Sequence, residues 1–155
     1  MELFVHRPDA EHPELAEVQL TVLVRTLLVT SDGEHGVWVE DVDEEIDLDA
    51  TFEQAGIGPH HHLHVGSRRH VEVTVRFNGD NFHHRFGPAK TIGAVSRWVF
   101  GPRAANLSPE QQTAHVLAGP GADHFLEDGV HIGSLVPAGT GDLTLDLLPR
   151  ARFAG

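Results

Sequence analysis

Three stretches of this 155-residue chain have residue types and spacings suited to chemistry. The first is His60-His61-His62-Leu63-His64, part of an unusual total of 13 histidines. On a strand, His60, His62 and His64 would share a face, and a two-residue spacing can present a pair of imidazoles to zinc. No acid or cysteine holds a fixed sequence relation to them, and His83-His84 falls in another part of the chain. The sequence therefore assigns no metal and no other cofactor. It reads these side chains as solvent-facing strand histidines that gain charge as pH falls towards about 6. The second stretch, Asp41, Asp43, Glu44 and Glu45, reads as a solvated acidic edge rather than a catalytic pair. The third is Leu148-Pro149-Arg150-Ala151-Arg152-Phe153-Ala154-Gly155, a carboxylate preceded by two guanidinium groups and one ring. Pro149 cannot donate to a ladder and should end the last strand, and six further residues reach roughly 20 Å when extended.

Other chemistries lack their residues. Cysteine is absent, which removes disulfides, thiol nucleophiles and cysteine-bound zinc. Ser31, Ser67, Ser96, Ser108 and Ser134 have no nucleophile-elbow context, and no glycine-rich phosphate loop follows a strand. The chain is not expected to be an enzyme.

The elements that carry these residues form one plan run twice. In the second half, Val71, Val73, Val75 and Phe77 alternate with polar residues, the period of a half-buried strand. Asn78-Gly79 marks a tight turn, and Phe82, His84 and Phe86 return as the second arm of a hairpin. Thr91 caps a helix carrying Ile92, Val95 and Val99, and Gly101-Pro102 stops it. Ser108 caps a short turn. A third strand at His115–Ala118, a very short one around Phe125 and Leu126, and a long one at Asp142–Leu147 complete the set.

The first half repeats the order. Strands are predicted over Glu2–His6, Leu15–Leu20, Gly36–Asp41, Glu45–Asp49 and His62–Val65. A helix is predicted from Thr21, on the spacing of Val24, Leu27 and Leu28, closed by Ser31-Asp32-Gly33. Val22, Val24 and Val29 favour strand as much as helix there. The fold class is α+β: two tandem β-grasp domains, residues 1–67 and 68–148, with an extended flexible tail at 149–155. Only Gly66-Ser67-Arg68-Arg69 joins the copies, too short a link for free beads.

Charge narrows the partners. The net charge is −12, with 15 acids and 4 arginines in residues 1–69 but 8 acids and 7 bases in residues 70–155. So acidic a first half argues against nucleic acid and against anionic membrane. No signal peptide or membrane-length apolar run is present, so the expected location is the cytoplasm. Lys90 is the single lysine, and a chain with one lysine offers few amines of its own.

Strand, strand, helix, strand, short strand, long strand is the β-grasp order, and the second half resembles ubiquitin along nearly its whole length. Ala118-Gly119, Leu126-Glu127-Asp128-Gly129 and the Val130–Val136 segment correspond in kind to the same regions, the last to a short 3₁₀ turn. The doubled arrangement resembles the interferon-induced tandem ubiquitin-like modifier of vertebrates, and more closely its bacterial antiphage counterparts. That resemblance implies a non-enzymatic modifier whose partners are an activating enzyme with ATP, a conjugating enzyme, a deconjugating protease and target-protein amines. Gly155 is then the joining residue, its missing Cβ leaving both carbonyl faces open to attack in a narrow channel. Pro149, Arg150, Ala151, Arg152, Phe153 and Ala154 form the tail those enzymes read, the arginines pairing with acids and Phe153 anchoring between them.

The chain departs from ubiquitin at three places. Ala154 replaces the penultimate glycine, the tail is some three residues longer, and Asp146 stands where the final strand contributes a valine. That last change leaves Val116 and Ala118 as a partner surface without its apolar neighbour. Two other readings stay open: a non-covalent adaptor that docks partners through its sheet faces, and a sulfur carrier sharing the adenylation chemistry.

Overall fold

A computed structural model describes residues 1–29, 34–137 and 139–154 of the chain. Its strands are β1 (Glu2–His6), β2 (Glu14–Glu17), β3 (Gly36–Val39), β4 (His62–Gly66), β5 (Val71–Phe77), β6 (Asp80–Phe86), β7 (His115–Ala118) and β8 (Asp142–Pro149). Helices α1 (Ile92–Phe100) and α2 (Pro109–Ala114) both belong to the second half. The strands form two four-stranded sheets, ordered β2-β1-β4-β3 and β6-β5-β8-β7. In each sheet the first strand pairs antiparallel with its hairpin partner and parallel with the last strand. The repeated plan is thus a repeated topology, and both units are β-grasp-like domains.

The second domain follows the sequence closely. Asn78 and Gly79 have φ of 50° and 82°, the left-handed pair that a two-residue hairpin turn requires. Thr91 caps α1 by accepting from the Ala94 amide, and Ile92, Val95 and Val99 turn inward. There they meet Val71, Val73 and Val75 of β5, Leu117 of β7 and Leu143, Leu145 and Leu147 of β8. Ser108 and Gln111 bond reciprocally across the first turn of α2, so the expected turn is a capped helix. Ile132–Ser134 forms the expected 3₁₀ turn. The short strand expected around Phe125 is reduced to one backbone bond, Leu126 N to Leu117 O at 2.9 Å.

The first domain corrects two expectations. Its helix is a single 3₁₀ turn, Val24–Leu27. The Arg25 amide, which would have bonded back to the Thr21 carbonyl in a helix, instead donates to Leu48 O at 3.0 Å, and the Val24 amide donates to Ala50 O at 2.8 Å. That crossing segment occupies the place of the expected short strand at 45–49, which forms no ladder. Thr51 and Gln54 bond reciprocally, the Thr51 amide to Gln54 Oε1 at 2.9 Å and the Gln54 amide to Thr51 Oγ1 at 3.1 Å. Val24 and Leu27 still reach the core, against Leu3, Val5, Val37, Phe52, Leu63 and Val65. Ser31, Asp32 and Gly33, read as the helix stop, lie outside the described residues.

The two domains pack directly on one another. Arg68 of the joining segment donates to the carbonyls of Thr140 and Pro137, while Arg69 reaches back to Glu45 and to the Glu34 carbonyl and lies over the Trp38 ring. After β3 the chain meets the loop before α1. There the Asp41 amide donates to Ala89 O, and the Asp41 carboxylate accepts from both the amide and the hydroxyl of Thr91. Asp43 accepts from the Gly87 amide at 2.8 Å. Two residues of the run expected to be a solvated edge are therefore interface acceptors.

Candidate functional site

Pro149 closes β8, which pairs with β5 and β7 on either side. Beyond it Arg150–Phe153 wind into one 3₁₀ turn rather than the extended tail expected from the sequence. The turn is held from outside the sheet: the Phe153 ring packs edge-on against Phe125 at 5.9 Å, and the Arg150 guanidinium sits 5.2 Å over the same ring. Arg150, Ala151, Arg152 and Ala154 are exposed and Phe153 is half-buried. The tail turn thus leaves both arginines exposed beside a cleft of about 380 Å³ lined by Arg97, His115, Val116, Phe125 and Arg150, among others. Gly155 lies outside the described residues.

A second cluster sits on the outer face of the first sheet, the face turned away from its own core. Register places His6 beside His64 and His64 beside Trp38, and the next row holds Phe4 and His62. The second domain covers this face with His131, which is 2% exposed. His131 Nε2 bonds Glu40 Oε2 at 2.8 Å, its Nδ1 meets His64 Nδ1 at 3.1 Å, and its ring stacks on His6 at 3.9 Å between centroids. His62 Nδ1 lies 2.8 Å from His6 Nε2 and 3.8 Å from Glu40 Oε2. Because a carboxylate only accepts, His131 Nε2 carries the proton, His131 Nδ1 accepts and His64 Nδ1–H donates. The sequence expected these histidines to face solvent with no acid in fixed relation. Here His64 is buried and Glu40, just past β3, supplies the acid. His60, by contrast, stays exposed and apart from the cluster.

Burial sets the protonation of this cluster. It pushes His64 down to about 3 and His6 to about 4, each helped by repulsion from neighbouring histidines, His131 first. His131 is also lowered by burial, against the pull of its Glu40 bond. Among the described residues, His6, Glu40 and His131 each offer a ligand atom within 4.8 Å of the other two.

Comparison with known proteins adds the following. The sequence matches the family described as BilA ubiquitin-like domain 2 over residues 72–150, about half of the chain. The chain belongs to that family. No curated protein matches this BilA-family chain. Among solved structures it is similar to the ubiquitin of Caldiarchaeum subterraneum, at 20% identity and a TM-score of 0.40, over 52% of this chain and 94% of that one. It is also similar to an Arabidopsis thaliana protein solved from evolutionary couplings and sparse NMR data, at 13% identity and a TM-score of 0.40, over 55% and 92% of the two chains.

In this BilA-family domain Val116 and Ala118, considered as a partner surface, keep 7% and 0% exposure, and Val116 lines the cleft beside the tail turn. Beside Ala118, Asp146 forks with Arg76 across β5 and β8 at 2.6 and 3.0 Å, putting charge where an apolar patch would need a valine. Lys90 is engaged too. Its ammonium donates to the Asp41 carbonyl at 2.9 Å and pairs with Asp43 at 3.3 Å, inside the domain interface. No helix among the described residues is long and apolar enough to cross a membrane.

Proposed function

We propose that this chain is a protein modifier, joined to its targets through Gly155 in bacterial antiphage defence. The observation that carries the reading is a BilA ubiquitin-like domain whose last strand leaves the sheet at Pro149 into an exposed segment, Arg150–Ala154. The chemistry belongs to the partners. The Gly155 carboxylate attacks the α-phosphorus of ATP on an activating enzyme and releases pyrophosphate. An enzyme thiolate then displaces AMP to give a thioester, and a target amine displaces the thiolate to leave an amide. The modifier supplies shape: guanidinium groups for acids lining an enzyme channel, and a residue without Cβ at the reacting carbon.

The engagement of Lys90 favours single attachments over self-linked chains, since the only lysine is already committed at the interface. The test is reconstitution with the cognate activating enzyme, ATP and a conjugating enzyme. The expected product is a thiol-sensitive adduct at Gly155 that deletion of Ala154 and Gly155 abolishes. Full function without those two residues would reject the reading in favour of a non-covalent adaptor, and a Gly155 thiocarboxylate would mark a sulfur carrier.

A further inference from the structure

We propose that His6, Glu40 and His131 form a binding site for a first-row divalent cation, zinc by donor type, that pins the two domains together. The site is assembled from both halves: His6 ends β1, Glu40 follows β3, and His131 opens the 3₁₀ turn of the second domain. Two imidazoles and a carboxylate are a borderline-soft set that suits zinc and excludes the oxygen-preferring calcium and magnesium.

The spacing agrees with this donor set. Tetrahedral zinc with bonds of roughly 2.0–2.1 Å holds its donor atoms about 3.3 Å apart. Glu40 Oε2 and His131 Nε2 lie 2.8 Å apart, and all three ligands fall within 4.8 Å of one another, with the His6 ring, stacked on His131, having to swing off it to share the metal. His62 Nδ1, 2.8 Å from His6 and 3.8 Å from Glu40, is placed to complete it.

The surroundings supply what a built site needs beyond ligands. A bound imidazole must present a bare nitrogen to the metal and spend its other N–H elsewhere. His131 meets both conditions in its other tautomer: its proton moves from Nε2 to Nδ1, which leaves Nε2 bare for the metal, and Nδ1–H donates to His64 Nδ1, already 3.1 Å away, once His64 carries its own proton on Nε2. His64 is thus a positioning residue, and its ring has been given room. A Cβ on Gly66 or Gly133 would stand 3.0 Å from His64 Nε2. Entry is open as well, because a cleft of about 760 Å³ between the domains is lined by His6, His64 and His131.

The test uses the untagged full chain, stripped with EDTA and titrated with zinc sulfate, with metal counted after dialysis. The expected result is a single zinc ion per chain, an unfolding temperature that rises with zinc concentration, and the intense visible absorption of tetrahedral cobalt on substitution. Glu40→Gln and His131→Ala should each weaken zinc binding roughly tenfold or more, and His60→Ala should leave it unchanged. Glu40 is partly exposed, so the Glu40→Gln chain should fold even where the His131→Ala chain does not. Zinc lost on dialysis would overturn the proposal, as would binding untouched by Glu40→Gln.

Discussion

The Asp41 carboxylate accepts two hydrogen bonds from Thr91, one from the amide at 2.8 Å and one from the hydroxyl at 2.9 Å. Thr91 is also the N-cap of α1, its oxygen accepting from the Ala94 amide at 3.2 Å. One hydroxyl therefore starts the helix of the second domain and ties it to the first. Asp41 itself sits at φ 65°, a left-handed conformation that aspartate and asparagine tolerate better than most residues. Asp41→Ala should cost about 2–3 kcal/mol in urea unfolding of the whole chain, because bonds to a charged acceptor are lost and a buried amide is left unpaired. Asp41→Asn keeps an acceptor and the backbone preference, so its loss should be clearly smaller. Equal losses for the two variants would show that the contact carries little energy.

Much of this fold is legible from local pattern, and the parts that are not share a cause. Val71–Phe86 declares a hairpin through strict alternation around Asn78-Gly79, and Thr91 declares a helix start because a cap needs only its own side chain. The 21–28 segment misleads because its helical spacing is real while its backbone amides are claimed by carbonyls more than twenty residues away, at Leu48 and Ala50. The histidine cluster fails in the same way. Alternation correctly puts His62 and His64 on one face, but nothing local says that His131 will cover it, since Glu40 and His131 are 91 positions apart. Phe153 reads as an anchor, and only the fold shows Phe125 as its partner here.

Acid should loosen the metal-stripped protein near this cluster. His64 is held at about 3 in the fold against an ordinary 6.5, first by burial and then by His131 and His6. A buried base kept neutral costs the fold nothing while it is neutral when unfolded too, above pH 6.5. Below that the unfolded chain binds the extra proton and stability falls towards the folded value. For His64 alone, moving from pH 7 to pH 5 should remove about 2 kcal/mol. His6 and His131 are shifted the same way, while Glu40 and Asp41, which favour the charged form of His131, oppose the loss. Urea midpoints at the two pH values check this, and a midpoint that rises on acidification would contradict it.

The engagement of Lys90 should be visible chemically. Its side chain keeps 15% exposure and its ammonium is shared between Asp41 and Asp43. An amine-reactive ester should label it slowly in the native chain and rapidly in denaturant, with site occupancy read by mass spectrometry. Lys90→Ala should remove about 1–3 kcal/mol by leaving these acceptors unpaired. Labelling as fast in the folded as in the unfolded chain would place the amine in solvent.

Gly133 gives the seam a steric test. A Cβ there would meet Pro88 Cβ and O at 2.8 Å and His64 Nε2 at 3.0 Å, all held by packed or hydrogen-bonded groups. Gly133→Ala therefore has to push the 3₁₀ turn away from Pro88 of its own domain as well as from His64 of the first sheet, at about 1–3 kcal/mol. Gly119→Ala, where a Cβ meets nothing within 4 Å, is the matched control and should be near neutral. Equal stabilities for the two variants would show that the seam yields at no cost.

The tail turn should act as a latch. Phe153 and Arg150 converge on one ring, Phe125, and no other aromatic contact holds Arg150–Phe153 among the described residues. A half-buried pair of this kind contributes about 0.5–1.5 kcal/mol, enough to bias the turn but not to lock it. Phe125→Ala should therefore leave global stability within about 1 kcal/mol of the parent while trypsin cuts faster after Arg150 and Arg152, because a bound protease needs extended chain. In a reconstituted reaction the same variant should be activated at least as fast as the parent, its tail being already released. Phe153→Ala separates the two roles of that ring. If it speeds cleavage yet slows activation, Phe153 serves both as a latch on Phe125 and as an anchor in the enzyme channel. If neither rate moves, the ring contact does not govern access to the tail.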